Sequence, residues 1–142
     1  MSRLQPIVLC IDHHWSRLVE RKQLLEANGY AVIDAIDGAE ALKLFRNNAV
    51  DAVALYYQLP GINGDVVASR MKRMKPHVPI LLLSSYGPLP DNKLESVDAF
   101  LTTSQEPKFL VSTLRRLITL RTKPFFHRWF AQWTGRNTGV RP

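Results

Sequence analysis

Four short polar clusters carry the side chains able to do chemistry: Asp12-His13-His14, Tyr56, Ser84-Ser85 and Thr103. A carboxylate followed by two imidazoles suggests metal binding or phosphohistidine chemistry. Adjacent histidines on a loop are expected to point different ways, however, and no cysteine or further histidine stands at ligand spacing. A polar loop is the better reading of His13 and His14. Ser84 lacks the Gly-x-Ser-x-Gly elbow of an activated nucleophile and has no evident histidine partner, so a satisfied hydroxyl is expected. The Tyr56 phenol, with a pKa of about 10, stays neutral near pH 7 and replaces a carboxylate neither as nucleophile nor as metal ligand. Asp51 is acidic and close in sequence, but it opens an apolar run rather than closing one.

What must position these clusters is a series of apolar segments: "IVLCI" (7–11), "YAVIDA" (30–35), "AVAL" (52–55), "ILLL" (80–83) and a weaker "AFLT" (99–102). Continuous apolar runs suit strands buried on both faces. Helical patterns lie between them. Residues 18–28 end at Gly29, a C-terminal cap. "DGAE" (37–40) is an Asp-x-x-Glu variant of the capping box before a helix burying Ala41, Leu42 and Phe45. Val67, Met71 and Met74 share a face after Gly64. Ser104 is expected to cap a last helix with Phe109, Leu110, Leu114, Leu117 and Ile118 inward. Glu20, Arg21 and Lys22 interrupt the apolar stripe of the first helix. Strands alternating with helices predict a doubly wound (βα)5 fold with an open parallel sheet. In such sheets ligands bind at the carboxyl ends of the strands, where the four clusters lie.

The chain has 142 residues and one cysteine, Cys10, so no internal disulfide forms. Residues 1–106 carry 11 Lys+Arg and 12 Asp+Glu, whereas 107–142 carry 8 basic residues and no acid. The excess positive charge is therefore C-terminal, which argues against a nucleic-acid surface across the domain. No apolar run is long enough to span a bilayer, and the opening residues lack a signal-peptide pattern, so a cytoplasmic location is expected.

The segments "IVLCIDHH", "LLEANGYAVIDAIDGAEAL", "DAVALYYQLPGINGDVV", "PILLLSS" and "DAFLTTS" stand in order at matching distances. Over residues 5 to about 120 the chain thereby resembles the receiver domain of bacterial two-component response regulators. The resemblance implies strand order 2-1-3-4-5. It also implies a phosphoaccepting aspartate after the third strand, two acidic residues after the first that help hold Mg²⁺, and a lysine after the fifth. A Ser/Thr after the fourth strand and an aromatic on the fifth report the phosphorylated state. Carried over, the first acidic position is Asp12 but the second is His13. The phosphoacceptor position is Tyr56, the lysine position Thr103, the Ser/Thr position Ser84 and the switch aromatic Phe100.

Phosphoryl transfer rests on positioning and on neutralising developing charge, and Mg²⁺ needs oxygen ligands. With two carboxylates and the cation missing, no catalytic residue, metal or cofactor is expected. Tyr56 should plug the pocket, its hydroxyl bonding Asp12 or Ser84. Pro88 and Pro90 predict a short or unwound fourth helix.

Residues 1–121 thus form one receiver-like domain, and 122–142 a basic, aromatic tail with one short helix. Phe125, Phe126, Trp129, Phe130 and Trp133 recur at helical spacing beside Lys123, Arg128 and Arg136. Protein contact, including self-docking or self-association, ranks above a membrane surface for this stripe, and nucleic acid last. The expected function is a non-enzymatic signalling module acting through protein–protein interaction. The alternatives are a divergent phosphate-accepting regulator and a peripheral membrane adaptor.

Overall fold

The computed structural model describes residues 5–121, so the whole tail and its five aromatic residues lie outside the described residues. Five strands, β1 (Ile7–Ile11), β2 (Ala31–Ala35), β3 (Ala52–Tyr56), β4 (Ile80–Ser84) and β5 (Ala99–Thr102), form one parallel sheet in the order 2-1-3-4-5. Helices α1 (Trp15–Ala27), α2 (Gly38–Asn47) and α3 (Gly64–Met74) supply the first three crossovers, and α4 (Glu106–Arg121) follows β5. This is the doubly wound fold expected from the alternation.

Alternate residues of each strand feed two cores. Leu9, Ile11, Val53, Leu55, Ile80 and Leu82 pack against Phe45, Val67 and Met71 of α2 and α3. Val8, Cys10, Ala54, Leu81 and Leu83 pack against Leu18, Leu25, Leu110, Leu114 and Leu117 of α1 and α4. Cys10, Val53 and Leu82 are fully buried, as predicted. Both helix-end signals hold. Gly29 has φ +91°, and Gly29 N and Tyr30 N donate to Glu26 O and Leu25 O, which closes α1 in a Schellman turn. At the start of α2 the Asp37 carboxylate accepts from Glu40 N at 2.8 Å, while Glu40 reaches back to Ile36 N at 3.1 Å.

Four expectations need correction. The first helix begins at Trp15, three residues before the apolar stripe at Leu18. Ser104 does not cap α4: its hydroxyl hydrogen-bonds Thr102 Oγ1 at 2.9 Å, and the helix opens after Gln105, whose carbonyl accepts from Phe109 N. Phe109 is exposed rather than inward-facing, since the buried face of α4 runs through Glu106, Leu110, Thr113, Leu114 and Leu117, and Met74 is exposed where Val67 and Met71 are buried. As Pro88 and Pro90 predicted, only a 3-10 turn, Asp91–Lys93, remains between β4 and β5.

Candidate functional site

The carboxyl ends of β1, β3 and β4 bring Asp12, His13, Tyr56 and Ser84 into one region, with Thr103 just beyond the end of β5. Asp12 is completely buried. Its Oδ1 accepts from His14 N and from Arg17 Nη2, both at 2.9 Å, and its Oδ2 accepts from Arg17 Nε and Arg21 Nη1, both at 2.7 Å. Every strong acceptor position of the carboxylate is therefore filled by the protein's own donors. Burial alone would push its pKa up. The hydrogen bonds from Arg17, the His14 amide and Arg21 outweigh burial and hold it below the ordinary value.

Arg21 is the residue that makes this possible. It is only 2 % exposed, and besides Asp12 it grips Glu106 through Nε to Oε2 and Nη2 to Oε1, the latter at 3.0 Å. Burial disfavours its charge, but the Glu106 and Asp12 partners raise its pKa above the ordinary guanidinium value. The apparent break in the α1 stripe is thus a buried charged strut joining β1, α1 and α4. Arg17, one turn earlier, lies 4.2 Å over the Tyr56 ring, and its Nη2 contacts His14 Nδ1 at 2.6 Å.

Tyr56 is 4 % exposed, and its ring fills the end of β3 beneath Arg17. Its hydroxyl is hydrogen-bonded to Ser85 Oγ, not to Asp12 or Ser84 as expected. Asp12 is already saturated, and Ser84 Oγ is held by Gln58 Nε2 and Tyr86 N, both at 3.1 Å. Thr103 donates only its backbone N–H, to Ser84 O at 3.0 Å. Phe100 is half-buried against the α2–α3 core.

His13 and His14 do not diverge: their rings meet edge-on at 4.1 Å. With Asp12 they form a cluster whose ligand atoms lie within 4.8 Å of one another. That cluster still does not fit Mg²⁺. Its single carboxylate is spent on two guanidinium groups, its other donors are imidazoles, and a hard cation requires several oxygen ligands. The Arg17 cation on both Asp12 and His14 would also repel a metal from the same atoms.

Sequence reasoning named Asp12, His13, Tyr56, Ser84-Ser85 and Thr103, but it assigned no part to Arg17, Arg21 or Glu106 and did not foresee the pairing of Tyr56 with Ser85. The one available signal was Arg21 itself, a charged residue inside an apolar stripe. Asp51 does lie at the opposite edge, where it accepts from Ile7 N at 2.7 Å and from Arg121.

With the fold and site in place, comparison with known proteins defines the class: the response regulator receiver domain family matches residues 8–101, and the chain belongs to that family. It is similar to the response regulator UvrY of Escherichia coli (31 % identity over 113 residues, 77 % of this chain and 52 % of UvrY). It is also similar to the transcriptional regulatory protein PrrA of Mycobacterium tuberculosis (33 % over 86 residues, 61 % of this chain and 37 % of PrrA). The chain thus spans about half or less of these curated relatives. Among solved structures it resembles the response regulator TrrA of Thermotoga maritima, determined in complex with the histidine kinase ThkA. That match has 28 % identity and TM-score 0.74, covering 80 % of this chain and 98 % of the other. Among the described residues no helix is long and apolar enough to cross a membrane.

Proposed function

We propose that this receiver domain signals without accepting phosphate, through protein–protein contacts in a two-component pathway, and performs no chemical step of its own. One observation carries the reading: Arg17 and Arg21 neutralise Asp12, the carboxylate at the end of β1, while Tyr56 occupies the end of β3. A phosphoryl group arriving there would find no carboxylate nucleophile at position 56, no free acidic pair for a cation, and a threonine at 103. The two cations present are already spent on Asp12, and Arg21 also on Glu106. The family's signalling role and the TrrA–ThkA complex support a protein partner, such as a kinase or a second regulator, in the cytoplasm.

Intact-mass spectrometry after treatment with a small acyl-phosphate donor and Mg²⁺ should detect no added phosphoryl group. A hydroxylamine-labile adduct on Asp12 would overturn the reading in favour of a divergent phosphate acceptor. Tyr56→Asp alone should not restore efficient turnover, because His13 and Thr103 still leave the charge unneutralised.

A further inference from the structure

Four charged side chains form an unbroken chain from the Tyr56 site to the last helix. Arg17 Nε and Nη2 donate to Asp12, whose Oδ2 also accepts from Arg21 Nη1, and Arg21 Nε and Nη2 donate to Glu106. Two carboxylates face two guanidinium groups, so the set is neutral as a whole. Asp12, Arg21 and Glu106 are buried. Arg17 alone reaches the surface, its side chain 28 % exposed above the Tyr56 ring. A neutral buried set responds as a unit when one member leaves it. Without Arg17, one guanidinium would remain against two carboxylates, and an uncompensated buried charge is strongly disfavoured. Arg21 can then compensate Asp12 only by giving up hydrogen bonds to Glu106. Glu106 is the first residue of α4, where Phe109 N donates to Gln105 O at 3.0 Å. The balance of charge beneath the site is therefore built into the opening turn of α4.

The surroundings of Arg17 say what could draw it away. Its Nη1 makes no hydrogen bond among the described residues, so a donor is free for an incoming acceptor. The loops that follow β3, β4 and β5 (57–63, 85–90 and 103–105) carry no charged residue. After β2, Asp37 and Glu40 are engaged with backbone N–H groups at the start of α2. A carboxylate on a docking protein therefore meets an exposed guanidinium on a rim whose other loops hold no competing acid, and guanidinium–carboxylate pairing is the geometry such a donor favours.

We propose that Arg17 is the surface trigger of this chain: a carboxylate of a protein partner that draws Arg17 off Asp12 pulls Arg21 from Glu106 and loosens the first turn of α4. The proposal rests on the reading that this face meets a protein, but its test involves no phosphoryl donor, so the two can fail separately.

The test is amide hydrogen exchange of the full chain, followed by NMR. The Phe109 amide reports the first turn of α4, and the Tyr30 amide, bonded to Leu25 O beyond the far end of α1, reports general stability. Arg17→Gln deletes the charge and should speed exchange at Phe109 about tenfold, the scale of one charge-assisted hydrogen bond, with less than about twofold at Tyr30. Arg17→Lys keeps the charge and should stay within about twofold of the unsubstituted chain. In a Glu106→Gln background, whose folding circular dichroism checks, Arg17→Gln should no longer affect Phe109. Millimolar hexaglutamate should speed exchange at Phe109 in the unsubstituted chain and not in Arg17→Gln. Equal acceleration at Phe109 and Tyr30 would mean general destabilisation and would overturn the proposal. So would a loss in Arg17→Lys as large as in Arg17→Gln, an undiminished effect in the Glu106→Gln background, or no response to hexaglutamate.

Discussion

Replacing Arg21 by Met tests whether the site is held shut by its own charges. Met keeps most of the volume and helix propensity of the arginine stem while deleting the guanidinium. The change leaves Asp12, fully buried, with Arg17 and the His14 amide, and leaves Glu106 without its Arg21 partner. Removing one member of a buried charge pair costs about 3–5 kcal/mol. Asp12 keeps Arg17, so the lower end is expected, about 3 kcal/mol. For 142 residues the unfolding entropy is about 0.3 kcal/mol per degree, so Tm should fall by about 10 °C. Adding Glu106→Gln removes the orphaned charge and should recover about a third of the loss.

The pH dependence has a definite sign. Asp12 has a folded pKa below its ordinary value of 3.8, so its contribution is present above pH 3.8 and is lost as pH falls through the lower folded value. Arg21→Met weakens that contribution. The gap between variant and wild type should therefore be largest near neutral pH and narrow below about pH 4. Thermal melts followed by circular dichroism at pH 7 and pH 3.5 measure both quantities. A Tm change under about 3 °C, or a gap that widens in acid, would refute the idea that Arg21 is a buried strut.

Three further outcomes follow from particular contacts. Gly64→Ala should cost about 1–3 kcal/mol in urea unfolding, because a Cβ there would lie 2.9 Å from Tyr56 O and Tyr57 Cα, backbone atoms with no room to move. Tyr56→Phe should cost only about 1 kcal/mol in the same assay, since it loses the Ser85 hydrogen bond but keeps the ring under Arg17. The Cys10 thiol, whose pKa burial pushes up to about 12, should react with a disulfide reagent at pH 8 only as fast as the protein unfolds; rapid labelling of the native chain would contradict its burial.

The sequence by itself determined the sheet and its closures. Continuous apolar runs at 7–11, 52–55 and 80–83 leave no polar face, which only a strand covered on both sides accommodates, and Gly29 and Asp37 mark helix ends by local backbone chemistry. The resemblance to receiver domains further implied which carboxylate and lysine positions carry other residues, namely His13, Tyr56 and Thr103. Only the tertiary structure decided what takes their place. Arg21 showed in the sequence only as a break in the apolar stripe of the first helix, and Arg17 carried no signal at all. Their partners, Asp12 across a loop and Glu106 at a separation of 85 residues, are brought within reach by the packing of α1 and α4 on one face of the sheet. The choice of Ser85 over Ser84 for Tyr56 was equally invisible, since it depends on Gln58 and Tyr86 claiming the nearer hydroxyl. Periodicity reports which face of an element is buried. Which buried charges neutralise one another depends on side-chain geometry between elements distant in the chain, and that is settled only once the layers pack.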